Sequence, residues 1–145
     1  MVAAAYRGGM TLSTTIPALP VQNIAAATAF YADRLGFSVE QQDDRYAVVR
    51  RDGAELNLWL ASDDRWKSRE GEQKHPVQSG AESFIAGTAS CRIETDAIDA
   101  LYSELRAAQV LHPTDRGSAL ATGWGTREFA ILDVEGNLIT FYQRA

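Results

Sequence analysis

Residues 124–142 read WGTREFAILDVEGNLITFY, and their periodicity decides the fold. Phe129 and Ile131 stand before the turn Val134-Glu135-Gly136-Asn137, and Ile139 and Phe141 after it. Each alternates with less apolar neighbours. Successive side chains of a strand point to opposite faces, so this pattern predicts a hairpin buried on one face only. Outward from it, TASCRIE (88–94) has the same two-residue period. DAIDALYSELRAAQV (96–110) changes to helical spacing, with Ile98, Leu101, Tyr102 and Leu105 as its apolar stripe and Asp96 as the expected N-cap. One more short strand is expected within 114–123.

The first half of the chain repeats this order. TIPALPV (15–21) is a short strand whose two prolines suit an edge position. NIAAATAFYADRLGF (23–37) is a helix, with Asn23 as N-cap and Gly36 as the stop. FSVEQQ, RYAVVRR and AELNLWLA follow as three strands. Asp43-Asp44 and Asp52-Gly53 supply the turns, the Asp-Gly pair being a strong hairpin signal. The expected fold class is α+β, with two tandem βαβββ modules at 15–61 and 87–145. Residues 1–14 form a flexible arm. The polar, Gly- and Pro-broken stretch 62–86 is too long for an ordinary connection and reads as a linker or lid.

Composition narrows the function classes. The chain has 145 residues, a formal charge of −5 and one cysteine. Net acidity argues against nucleic acid and anionic membrane as partners. Cys91 rules out an internal disulfide and any all-cysteine metal site, and its place on an alternating strand reads as an inert buried thiol. No apolar run approaches the roughly 18 residues of a membrane span, and the N-terminal stretch lacks a signal-peptide core. A cytoplasmic location is expected.

LPVQNIAAATAFYADRLGFSV and WGTREFAILDVEGNLITF resemble the two signature regions of the vicinal oxygen chelate superfamily, which groups glyoxalases, bleomycin resistance proteins and dioxygenases. The second region, with Trp-Gly ahead of Arg-Glu-Phe and then Asp-x-x-Gly-Asn, is most similar to the antibiotic-binding branch. The resemblance spans about residues 15–143. It implies sheets curled around a cavity, a homodimer, in many members an exchanged N-terminal strand, and binding crevices at the dimer interface. In the enzymes of the superfamily it implies a divalent metal held by His, Glu or Gln on cavity-facing strand positions.

Alternation assigns those positions here. Leu19, Val21, Leu56, Leu58, Cys91, Ile93, Ile139 and Phe141 pack on the helices. The positions matching the metal ligands are then Ile16, Asn57 or Trp59, Ser90 and Thr140, and none is a strong ligand for a divalent ion. His75 and His112 fall in connections. No metal, cofactor or catalytic group is expected. Glu94, Glu128 and Asp133 read as structural carboxylates.

Flat aromatic faces remain as the expected chemistry of the cavity. The expected ligand-binding residues are Trp124, Tyr46, Trp59, Asn57, Trp66, Ser90 and Gly125. Stacking of this kind suits a planar heteroaromatic group and contributes about 0.5–1.5 kcal/mol per pair beyond area burial. Asp43, Asp44 and Glu40 would attract a cationic tail. The leading expectation is a non-catalytic dimer that sequesters a bleomycin-like glycopeptide, metal-chelated or free. The alternatives are a metal-dependent lyase or dioxygenase of the same fold and a binder of another planar small molecule.

Overall fold

The computed structural model describes residues 8–63, 67 and 80–145. Among the described residues, eight strands and two α-helices follow in the order β1 (Ala18–Val21), α1 (Ile24–Asp33), β2 (Ser38–Gln42), β3 (Tyr46–Arg51), β4 (Ala54–Leu60), β5 (Ser90–Glu94), α2 (Ile98–Ala107), β6 (Leu120–Ala121), β7 (Thr126–Leu132) and β8 (Leu138–Arg144). They form two four-stranded sheets, ordered β1-β4-β3-β2 and β5-β8-β7-β6. In each, the first strand of the module lies parallel to its last, and the other pairs are antiparallel. The proline-bearing β1 is an edge strand, where its missing N–H costs no ladder bond.

Local chemistry explains the first helix. The Asn23 side-chain oxygen accepts a hydrogen bond from the Ala26 N–H at 2.9 Å, satisfying one of the free donors of the first turn. At the other end Gly36 takes a φ of +72°. This lets the Phe37 N–H reach back to the Tyr31 carbonyl at 2.9 Å and closes the last turn.

The second helix departs from expectation, because Asp96 does not cap it. No side chain at the N-cap position, Ala97, makes a capping bond. Instead the Ile98 N–H donates to Gln143 Oε1 at 2.9 Å, and Gln143 Nε2 donates to the Asp96 carbonyl at 3.1 Å. The cap comes from the end of β8, far away in sequence. β1 is also shorter than TIPALPV, since residues 15–17 precede the strand.

The core forms as alternation requires. Leu19, Val21, Ala47, Val49, Leu56 and Leu58 of the first sheet and Phe129, Ile131, Ile139 and Phe141 of the second are buried in one cluster with Tyr31, Ile98, Tyr102 and Leu105 of the helices. The opposite face of each sheet is open.

A buried polar knot joins the modules. Asp133 and Asn137 flank the β7–β8 turn, and both are buried. Tyr31 Oη donates to Asp133 Oδ2 at 2.9 Å, and Asn137 Nδ2 donates to the same oxygen at 3.0 Å and to the Pro20 carbonyl at 2.9 Å. Asp133 Oδ1 accepts the backbone N–H groups of Glu135 and Asn137, each at 2.9 Å. Burial, and then the charge of Asp133, push the Tyr31 phenol well above its ordinary pKa and keep it a donor. On the surface, Arg51 of β3 forms a two-pronged ion pair with Glu104 of α2 at 2.6 and 2.8 Å.

Removing the Tyr31 hydroxyl leaves a buried carboxylate one donor short. Tyr31→Phe should therefore lower the unfolding free energy in urea by about 1–3 kcal/mol. A value within about 0.5 kcal/mol of the parent would mean that the knot does not hold the modules together.

Candidate functional site

The open faces of the two sheets carry most of the residues of interest. On the first, Tyr46 of β3 stands directly opposite Trp59 of β4, and Val48 opposite Asn57. Directly opposed residues share a face with their Cβ atoms about 4.5–5.5 Å apart, so Tyr46, Trp59 and Asn57 form one patch. All three are half-buried. Burial, followed by the charge of Glu55, raises the Tyr46 pKa, so the phenol stays neutral and can donate.

Further along this face Arg50 pairs with Glu40 at 2.9 Å and also with Glu55. Of the acids expected to attract a cation, Glu40 is thus already neutralised. The Asp43 carboxylate accepts the Arg45 N–H at 2.8 Å and shapes the β2–β3 turn. Asp43 and Asp44 also line a shallow cavity of about 630 Å³ with Gln22, Asn23 and Leu60.

On the second sheet the organising group is Glu128, which sequence reading treated only as one scattered carboxylate. Its side chain is 12% exposed. It accepts two bonds from Arg92 at 2.9 and 2.6 Å, one from the Thr126 hydroxyl at 2.5 Å and one from the indole Nε1 of Trp124 at 3.0 Å. The Arg92 bonds, helped by those from Thr126 and Trp124, hold its pKa down to about 2 against the desolvation that opposes them. The Arg92 guanidinium lies 4.6 Å from the centre of the Tyr142 ring, and Arg144 pairs with Glu94 at 2.6 Å.

Trp124 itself is 69% exposed, so it belongs to the surface and not to the core. Gly125 beside it adopts a φ of +84°, a conformation that L side chains avoid, and this turns the chain into β7. Ser90 is exposed at the start of β5, opposite Leu138.

The chain therefore brings Tyr46, Trp59 and Asn57 together, and separately Trp124 and Gly125. Ser90 stands apart at the far end of β5. Trp66 and His75 lie outside the described residues. A second cavity, about 600 Å³, runs between Thr14–Pro17, the β3–β4 turn and the start of α2, and none of Trp124, Tyr46, Trp59, Asn57, Ser90 and Gly125 lines it. Glu128 and Arg92 were missed because their partnership crosses strands. Alternation alone puts both on the open face, but the register sets Arg92 in line with Thr140 and Ala130 and Glu128 in line with Tyr142 and Glu94, so their ion pair is a diagonal reach across β8.

The positions equivalent to metal ligands do not fit a divalent ion. Ile16 is apolar and half exposed, and Asn57, Ser90 and Thr140 offer neutral oxygens only. Among the described residues no group of three or more His, Cys, Asp and Glu is placed to hold a metal ion. Cys91 has a thiol pushed up to about 11, by burial first and then by the charge of Asp133, so it is a poor nucleophile at neutral pH.

The depressed Glu128 pKa has a pH consequence. Its folded value of about 2 lies below the ordinary 4.5, so its stabilising contribution is present above about pH 4.5 and is lost as pH falls towards 2. The unfolding free energy of the parent should drop over that window. Glu128→Gln should drop less steeply, and a parallel pair of curves would refute the assignment.

Comparison with known proteins fits this geometry. The Glyoxalase/Bleomycin resistance protein/Dioxygenase superfamily profile matches residues 13–141. A bleomycin resistance protein of Geobacillus stearothermophilus is 45% identical over 130 residues, covering 90% of this chain and 96% of the relative. A bleomycin-binding protein complexed with bleomycin superposes with a TM-score of 0.63 at 19% identity, covering 92% of this chain and all of the other. A lactoylglutathione lyase from Agrobacterium tumefaciens superposes with a TM-score of 0.68 at 17% identity, covering 92% and 96%. The shared fold does not separate binder from enzyme, whereas the high-identity relative is a resistance protein. The chain belongs to the glyoxalase/bleomycin resistance/dioxygenase superfamily.

Proposed function

We propose that this chain is a non-catalytic bleomycin-binding protein that confers resistance by sequestering the drug one-to-one per site. The observation that carries this reading is the 45% identity to a bleomycin resistance protein across nearly its full length. The failure of the metal-ligand positions agrees with it, because lyase or dioxygenase chemistry of this fold would lack its ion. Trp124, Tyr46 and Trp59 would stack on the planar part of the drug. Gly125 sets the position of Trp124, and Asn57 and Ser90 add polar edges.

The binding unit in this reading is a homodimer. Tyr46, Asn57 and Trp59 lie on the first sheet and Trp124 on the turn that leads into β7 of the second, and neither of the two cavities described above is lined by any of them. A second copy would supply the opposing wall of each crevice. The exposed apolar Met10, Leu12 and Ile16 suit a contact with that copy. Among the described residues no helix is long and apolar enough to cross a membrane, and we place the protein in the cytoplasm.

Calorimetric titration with bleomycin should give saturable heat at micromolar protein, with one drug per chain. Light scattering should give twice the chain mass. Trp124→Ala should weaken binding by about 1–3 kcal/mol, as when a stacked anchor is truncated, without loss of fold. Binding equal to the parent would remove Trp124 from the site, and no heat in the parent would overturn the reading.

A further inference from the structure

Two buried side-chain polar atoms among the described residues have no hydrogen-bond partner, the indole Nε1 of Trp59 and the amide oxygen Oδ1 of Asn57. They stand two residues apart on β4, so they share its open face. One is a donor only and the other an acceptor only. Buried polar atoms are paired in the great majority of cases, and each exception calls for an explanation. Here both exceptions fall on one strand face, beside Tyr46 and away from the core.

We propose that Trp59 N–H and Asn57 Oδ1 form a hydrogen-bonding subsite that reads an amide-bearing segment of the ligand. A matching group must offer an acceptor to the indole and a donor to the carboxamide. A purely aromatic ring offers neither, and a cation offers only the donor. A peptide segment offers both, and adjacent residues on one face of a strand repeat at about 6.5–7 Å, a spacing that an extended ligand backbone can follow. Tyr46, opposite Trp59, would close the side of this subsite. The assignment rests on the bleomycin-binding reading, since a glycopeptide carries amide groups. It goes further by giving the indole of Trp59 a polar role besides stacking and by making this face a determinant of specificity.

An unpaired buried polar atom destabilises the free protein and is repaid only when the ligand arrives. Asn57→Leu removes the acceptor at similar volume. It should raise the melting temperature of the ligand-free protein while weakening bleomycin binding by roughly tenfold or more. Trp59→Phe removes the donor but keeps a ring, and should weaken binding similarly. The double variant should lose less than the product of the two single losses if one ligand segment spans both atoms.

A lower melting temperature for Asn57→Leu that depends on protein concentration would overturn the proposal in favour of a partner chain as the occupant. Unchanged binding in both single variants would overturn it outright. The ligand-free melting temperature is read without drug. If the parent fails to bind bleomycin while Asn57→Leu is stabilised, the bleomycin reading falls and the unfilled subsite stands.

Discussion

The carboxylate of Asp133 is the constraint on which the rest of the structure depends. A buried charge persists only when its oxygens are met. Here four donors meet it, two from its own turn, one from Asn137 and one from the phenol of Tyr31. Because Tyr31 belongs to α1 and Asn137 also bonds the Pro20 carbonyl of β1, satisfying one charge sets the second module against the first. The Asp-x-x-Gly-Asn stretch is thus a fastening as well as a turn. It orients the two sheets, and with them the faces on which Tyr46 and Trp124 sit.

The fold was largely legible in the sequence because its signals are local. Alternation in Leu56-Asn57-Leu58 and Phe129-Ala130-Ile131 assigns faces without any knowledge of the partner strand, and the buried set follows it. Asn23 caps the helix that it precedes. Asp96 failed by the same local logic, because Gln143 of β8 bonds that helix start first. A competitor 47 residues away leaves no trace in a window around residue 96.

The candidate site was legible in its parts and not in its assembly. Tyr46, Asn57 and Trp59 could each be assigned to the open face, and the hairpin register makes them neighbours. Trp124 could be recognised by its motif, but not the carboxylate that steadies it. Sequence reading placed Glu128 among structural ion pairs, and it is one, with Arg92. Its bond to the Trp124 indole depends on how the turn at Gly125 folds the chain back over β7. Meeting that indole also leaves Trp124 better defined in direction than an exposed side chain on a free loop, which lowers the ordering cost of the contact proposed for it.

Cys91, the only cysteine in the chain, bears on how the protein can be studied. Its thiol is pushed up to about 11, so at neutral pH the reactive thiolate is scarce there. A cysteine introduced on the surface, beside Trp124 for example, would carry a far larger thiolate fraction. Maleimide dyes and spin labels should then attach at the new position with little background, in the otherwise unaltered chain. With the native thiol silent, a pair of introduced cysteines, one on each sheet, would allow site-specific distance measurements between them.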